Sequence, residues 1–421
     1  MQEKEKFIVY GEKKLTGEIE VLGSKNAAGP ILAATILTKK DCVISNLPHI
    51  LDILLFLDIL KEMGTDVIWL DERTVKINTK NLDPEKIDYK KVEKIRLSVL
   101  LIGALLTRFE KIKISKPGGD RIGVRPITTH LEAMKKLGIN VQEDGEFYYF
   151  ERKKIKPGKI VLTELSVTAT ENLLLLSSLA NGKTIIKCGA IEPHVVFLAN
   201  FLKKMGVNVK ILHDHTFEIE GKKDLKGGDI KIIPDYIEAA TFVILGSLLG
   251  EKLKIKNIVF EHLEIFFEIL KRIGINFEKE KNCVIFNKQN KPFFSSQIQA
   301  LPYPGFPTDI LPLMIPLLTQ SKGKSLIHDP LYENRLGFVQ ELKKMGADIE
   351  IVDPHRVFIF GPTELKGTKI NSSDIRAGAS LLIAALIAKG KSIIEDINQI
   401  DRGYENLESR LQKIGALISR Q

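Results

Sequence analysis

The sequence is poor in the residues that staple or metallate a protein. Only three of its 421 residues are cysteine: Cys42, Cys188 and Cys283. An odd number without metal-type spacing argues against a disulfide framework and fits a reducing cytosol. There is one tryptophan, and aromatic residues make up 7% of the chain. Nucleic-acid processing calls for a Lys/Arg stripe interleaved with aromatic stacking platforms. No such pattern is present, so no nucleic-acid partner is expected. Long apolar runs are lacking too. The longest, around 173–179 and 379–388, fall short of the ~20 residues that span a bilayer. The charged start, Met1-Gln2-Glu3-Lys4-Glu5-Lys6, has no apolar signal region after it. A soluble protein with no membrane partner is expected, as a monomer or weak homo-oligomer.

What is there can build real cores: 44% of residues are hydrophobic and 27% charged. The length suits two or three domains. A net charge of +9 fits anionic ligands and by itself selects neither nucleic acid nor phosphorylated metabolites.

A phrase recurs along the chain: Lys61-Glu62-Met63-Gly64, Lys135-Lys136-Leu137-Gly138, Lys203-Lys204-Met205-Gly206, Lys271-Arg272-Ile273-Gly274, Lys343-Lys344-Met345-Gly346 and Gln412-Lys413-Ile414-Gly415. The spacing is roughly 70 residues, the mark of a repeated supersecondary unit. Each phrase reads as a helix end, with cations in the last turn and a left-handed glycine cap. Period-two strands follow, as at 207–211 and 347–351, then a second strand in most copies (147–151, 216–220, 283–287, 356–360). Upstream of each phrase lies a strand (42–46, 111–115, 184–188, 252–256, 324–328, 391–395). Before that comes a helix apolar on every side (27–37, 97–106, 169–179, 239–249, 310–318, 377–387). Such helices must be buried. The expected fold class is α/β: a two-domain inverse α/β barrel of six strand-helix-strand-helix-strand-strand repeats. Three repeats form each domain, with buried helices inside and sheets outside.

The last repeat runs out of chain at Gln421, so strands near 7–10 and 15–21 are expected to fill its gap. The expected domains are 21–230, carrying a loop at 116–127, and a discontinuous 1–20 plus 231–421. The switch falls near Gly227-Gly228-Asp229, and the active site is expected in the cleft between the domains.

The loop reads Lys116-Pro117-Gly118-Gly119-Asp120-Arg121-Ile122-Gly123-Val124-Arg125-Pro126. Glycines let backbone approach a ligand, Arg forks suit phosphate or carboxylate, and Asp120 can donate a proton. Other charges interrupt the apolar helices at their starts, Lys25 after Ser24, Arg96, Asp309, and Asp374 with Arg376, while Glu333-Asn334-Arg335 and Asp401-Arg402 start the outer helices of the fifth and sixth repeats. Singly, each reads as a cap or a surface ion pair. Together they gather too many cations to go without an anion. His213-Asp214-His215 reads as a turn between strands, and His194, His262 and His355 as loop or helix-start residues. No metal is expected.

Seven segments in order then carry a resemblance: Ser24-Lys25-Asn26-Ala27-Ala28, Pro117-Gly118-Gly119 through Ile122-Gly123 to Arg125-Pro126, Thr170-Glu171-Asn172, Pro304 to Phe306-Pro307-Thr308-Asp309, Glu333-Asn334-Arg335, Asp374 to Arg376-Ala377, and Asp401-Arg402-Gly403-Tyr404-Glu405. Over essentially the whole chain this resembles the UDP-N-acetylglucosamine 1-carboxyvinyltransferase (MurA) family of enolpyruvyl transferases, relatives of EPSP synthase. The resemblance implies transfer of the enolpyruvyl group of phosphoenolpyruvate to the sugar 3-hydroxyl, through a tetrahedral intermediate, with loss of phosphate. It implies peptidoglycan synthesis in the cytoplasm and no cofactor. By motif, Lys25, Arg125 and Arg402 hold phosphoenolpyruvate, with Arg96 and Arg376 in support and Asn26 and Asp374 nearby. Asp309 is the general base; Asp120, Asp309, Lys25 and Arg402 form the catalytic set. The substrate-binding set adds Pro126, Ile127, Ser166, Val167 and Glu192. It also includes Glu238, Glu333, Asn334 and Arg335.

Some residues depart from the family pattern. Asp120 stands where the family commonly carries the cysteine that fosfomycin alkylates. Asp120 is expected to act in its place, as the acid that protonates the methylene carbon. That needs a proton held near neutral pH, helped by burial beside substrate anions and opposed by Arg121 and Arg125. Around the uridine, Thr128, Glu164, Thr168 and Tyr236 replace usual residues. A different nucleotide-sugar acceptor, or a non-catalytic nucleotide-sugar-binding relative, stays open at this point.

Overall fold

The computed structural model describes residues 5–120 and 122–421. Arg121, expected to oppose protonation of Asp120, lies outside the described residues.

The six apolar stretches are helices, at Lys25–Ala34, Leu100–Arg108, Val167–Ser177, Tyr236–Leu249, Leu311–Thr319 and Ile375–Ile387. Nearly every residue of each is buried. The six phrase glycines, Gly64, Gly138, Gly206, Gly274, Gly346 and Gly415, all have φ between 85° and 107°. A side chain is strained there, which is why the repeat punctuates with glycine.

The chain divides into two compact units. One comprises the segment ending at Leu22, Asp120–Val124 and Pro234–Gln421; the other comprises Gly23–Gly119 and Arg125–Ile233. In each unit three inner helices pack on one another and three sheets lie outside them. Each unit has its own continuous apolar core. Burying one large aliphatic side chain contributes about 1.5–3 kcal/mol. An all-apolar helix therefore has no stable alternative to the interior.

Several details differ from the sequence expectation. Phe7–Tyr10 lies antiparallel between Lys391–Glu395 and Leu417–Arg420, with Phe7 opposite both Ile394 and Arg420. The last repeat thus supplies one closing strand itself. Leu15–Glu20 instead pairs in parallel with Gly250–Lys256, in the fourth repeat. The 229–231 strand still pairs with Cys42–Ser45, and the division falls after Ile233 rather than near Gly227. The tip Asp120–Val124 packs with the unit that holds the C-terminus, although the rest of its loop belongs to the other. The second repeat has no strand before its inner helix. Pro84–Lys86 and Tyr89–Val92 are helical turns there, so its sheet has three strands.

Candidate functional site

In the unit containing the C-terminus, the site residues sit at inner-helix starts and in the turns after the interior strands Ser321–His328 and Lys391–Glu395. Asp374 caps Ile375–Ile387, accepting from the amides of Arg376 and Ala377 at 3.0 Å each and from the Ser373 hydroxyl at 3.1 Å. Burial pushes its carboxyl above the usual range; Asp120 adds to this and Arg335 opposes it.

Asp309 lies between two guanidinium groups. Arg335 Nη2 donates to Oδ1 at 2.7 Å, and Arg376 donates to Oδ2 from Nη2 at 3.3 Å. The side chain of Asp309 is 28% exposed, those of Arg335 and Arg376 only 2% and 4%. Burial works against both cations. For Arg335 the carboxylates of Asp309, Asp374 and Asp329 outweigh it, and for Arg376 Tyr404, Asp309 and Asp235 do, so both hold their protons more firmly than usual. Asp329 organises the floor: it accepts from the Thr308 hydroxyl at 2.5 Å and from the amides of Leu331 and Tyr332.

Arg402 ends the turn Asn398–Asp401. Its Nη1 donates to Asp120 Oδ1 at 2.6 Å and to Gln399 Oε1 at 3.0 Å. The loop tip is held again two and four residues on. Val124 donates to Glu333 Oε1 at 2.6 Å, and Asn334 donates to the carbonyl of Ile122 at 3.1 Å. Gly123 has φ 134°, and a Cβ there would lie 2.4 Å from Glu333 Oε2. Glu333, expected to bind substrate, also anchors the loop tip through the Val124 amide. Its carboxyl is held below the usual range by the Val124 amide and by its own. Glu238 braces neighbours too: it accepts from the Leu22 amide at 2.7 Å and from Arg410 at 2.5 Å, tying the N-terminal segment to a helix start. Glu333-Asn334-Arg335 precede their outer helix, Val339–Lys344, rather than opening it.

In the other unit Lys25 opens its helix behind the Ser24 cap, and its ammonium meets Asp52 Oδ2 at 2.7 Å. Asn26 follows it, half-buried. Arg96 and Arg125 flank Gly119: a Cβ on that glycine, at φ 122°, would lie 2.8 Å from Arg96 Cβ and 3.4 Å from Arg125 Nη1. Pro126 is exposed, and Ile127 is buried just before Thr128–Lys136. Ser166 caps the helix that Val167 opens, and Glu192 precedes the one that Pro193 opens. Burial, reinforced by Glu192, raises the carboxyl of Glu171 well above its ordinary range.

The sequence reading missed Asp52, Asp329 and His130. Asp52 lies in a first helical turn, where an acid reads as a dipole partner. Asp329 reads as an ordinary Asp-Pro turn. His130 is 2% exposed, with Nε2 at 3.0 Å from the hydroxyl of Thr168, one of the departing residues. Burial and the nearby Arg96 push it down to about 3. The unfolded imidazole takes up a proton below about 6.5, whereas the buried one does not until about 3. Acidification between those values therefore favours the unfolded chain. Going from pH 7.5 to pH 5 costs about 2 kcal/mol through this group. The variant His130→Gln is expected to shrink the fall in Tm over that interval; an unchanged fall would remove His130 as its source.

The comparisons with known proteins follow the same lines. The EPSP synthase (3-phosphoshikimate 1-carboxyvinyltransferase) family matches residues 9–411. A UDP-N-acetylglucosamine 1-carboxyvinyltransferase of Borrelia garinii subsp. bavariensis is 39% identical over 98% of both chains. UDP-N-acetylglucosamine 1-carboxyvinyltransferase 1 of Carboxydothermus hydrogenoformans is 40% identical over 99% of this chain and 98% of its own. In fold, the enolpyruvyl transferase NikO from Streptomyces tendae superposes with a TM-score of 0.91 at 23% identity, over 99% of each chain. EPSP synthase from Acinetobacter baumannii gives 0.75 at 17%, over 99% of this chain and 100% of its own. With its inner-helix repeats, its paired carboxylates and guanidiniums, and relatives aligned end to end, this chain belongs to the EPSP synthase family of enolpyruvyl transferases.

Proposed function

We propose that this chain transfers the enolpyruvyl group of phosphoenolpyruvate to the 3-hydroxyl of UDP-N-acetylglucosamine and releases phosphate, the first committed step of peptidoglycan synthesis. The observation that carries the reading is the 39% identity to a UDP-N-acetylglucosamine 1-carboxyvinyltransferase over 98% of the chain. The side chains supply a consistent chemistry. Lys25, Arg125 and Arg402 take the phosphate and carboxylate of phosphoenolpyruvate, supported by Arg96 and Arg376, since planar guanidinium forks match both groups. Asp309 accepts the proton of the sugar hydroxyl as its oxygen bonds to C2. Asp120 gives a proton to the methylene carbon, making the methyl group of a tetrahedral ketal. Loss of a methyl proton and of phosphate then yields the enol ether. The proposal assigns residues of both units to this one reaction. Glu238 and Glu333 act in it as scaffold.

The same reading places the protein in the cytoplasm, as a monomer or weak homo-oligomer. Among the described residues no helix is long and apolar enough to cross a membrane.

The test is phosphate release from phosphoenolpyruvate with and without UDP-N-acetylglucosamine. Release that requires this sugar nucleotide is expected. Release that instead requires another nucleotide sugar would reassign the acceptor, and none with any would overturn the reading.

A further inference from the structure

The neighbour of Arg402 in sequence, Asp401, is held by a residue from the last strand. Arg420 ends the strand Leu417–Arg420, opposite Phe7. Its guanidinium grips Asp401 in a two-pronged fork, Nη2 to Oδ1 at 2.6 Å and Nη1 to Oδ2 at 2.9 Å. The same group reaches Glu408, Nε to Oε1 at 2.9 Å and Nη2 to Oε2 at 3.2 Å. Nη1 also donates to Glu5 Oε2 at 2.9 Å, and the plane lies 5.1 Å from the Phe7 ring centre. Three carboxylates on one cation is more than a surface ion pair, which alone contributes little. The side chains of Arg420, Asp401 and Glu408 are 25%, 20% and 16% exposed and that of Glu5 63%, so Asp401 and Glu408 are the shielded partners.

Asp401 immediately precedes Arg402. A fork with two parallel bonds fixes direction as well as distance. On the other side of the turn, Gly403 packs so closely on the helix Ile375–Ile387 that a Cβ would lie 2.4 Å from Ile375 Cγ2. The backbone of Arg402 is therefore pinned from both neighbours, by Ile375 through Gly403 and by Arg420 through Asp401. Ile375 gives only a packing surface. The fork supplies the orientation.

We propose that Arg420 is a positioning residue for Arg402, acting through Asp401 to aim the guanidinium that meets Asp120 and, on the function proposed above, phosphoenolpyruvate. The inference rests on that reading for its kinetic consequence only. A shift of about 1 Å in a group that holds a reactant can lower the rate about 10²-fold.

The experiment is steady-state phosphate release by the full chain carrying Arg420→Ala, Arg420→Lys or Asp401→Asn, with each substrate varied in turn. Arg420→Ala is expected to lower kcat/KM for phosphoenolpyruvate by 10- to 100-fold and leave KM for UDP-N-acetylglucosamine within twofold. Lysine, which cannot form the fork, should recover little. Asp401→Asn keeps the C-terminal strand charge intact and should reproduce the loss even if Arg420→Ala fails to fold. In an Arg402→Lys background, adding Arg420→Ala should cost almost nothing further. Wild-type turnover in folded Arg420→Ala and Asp401→Asn, a KM for UDP-N-acetylglucosamine raised beyond twofold, or full additivity with Arg402→Lys would each overturn the proposal. If the wild type shows no turnover with UDP-N-acetylglucosamine, the acceptor reading fails instead. Hydrogen exchange then decides the clamp: exchange across 398–404 must quicken in Asp401→Asn, and unchanged exchange would overturn it.

Discussion

Asp120→Asn is expected to lower phosphate release by about 10²–10⁴-fold, the usual contribution of a positioned general acid. That corresponds to about 3–5 kcal/mol of barrier. The substitution is chosen because it leaves the surroundings in place. An asparagine oxygen can still accept from Arg402, which now meets Asp120 at 2.6 Å. The loop tip has two further anchors, Val124 on Glu333 and Asn334 on Ile122, and neither involves residue 120. Loss of the proton, not loss of docking, should thus dominate. Asp120→Cys is the complement. It restores a group that can give a proton, of the kind the family commonly carries there. Turnover should return in part, and fosfomycin should become a covalent label, because a thiolate opens an epoxide far faster than a carboxylate does. The wild type should carry no adduct by mass spectrometry. An adduct on Asp120, or full activity in Asp120→Asn, would remove Asp120 from the acid's role.

Much of this protein was legible before any coordinates, for a physical reason. An inner helix apolar on all sides has one stable environment, and a lysine-rich last turn ending in glycine has one cap geometry. Six repetitions of both leave little freedom, and all six glycines take positive φ. Strand partnership was less legible. Residues 15–20 alternate like any edge strand, and nothing local says that their partner lies beyond residue 250. The second repeat's missing strand was hidden in the same way. Asp83 and Asp88 cap the successive short helical turns Pro84–Lys86 and Tyr89–Val92, and such caps are common in loops. Among the polar residues, motif order located Asp309, Arg335, Arg376 and Arg402, which the structure gathers with Asp120 and Asp374 in one unit. It does not show which neighbours a polar residue braces. Glu238 and Glu333 look like ligands in sequence because they flank functional segments. Their oxygens turn out to satisfy the amides of Leu22 and Val124. Asp329 and Arg420 act across long sequence separations, and no short pattern marks them.

Asp309 gives the second large effect, and two substitutions separate its proposed chemistry from its scaffold role. Asp309→Asn is expected to lower phosphate release by at least about 10²-fold, since an amide cannot take the hydroxyl proton. It retains one oxygen for Arg335 but turns an amide NH2 toward Arg376, which donates to Oδ2 at 3.3 Å, so Tm should fall, though less than when both acceptors are removed. Asp309→Ala loses the same chemistry and also strands the buried Nη2 of Arg335, which bonds Asp309 Oδ1 at 2.7 Å. An unsatisfied buried donor costs about 1–3 kcal/mol. The 3–5 kcal/mol typical of breaking a fully buried pair should not be reached, because Asp309 is 28% exposed and water reaches one side of it. Asp329 also remains 3.9 Å from Arg335 Nε. The expected pattern is equal kinetic loss in the two variants and the larger fall in Tm in the alanine variant. Calorimetric binding of UDP-N-acetylglucosamine should persist in Asp309→Asn. Activity that instead tracks Tm across the pair, with binding lost in step, would make Asp309 a strut between two arginines. The base would then have to be sought among the remaining carboxylates of this unit, with Asp374 the first to try.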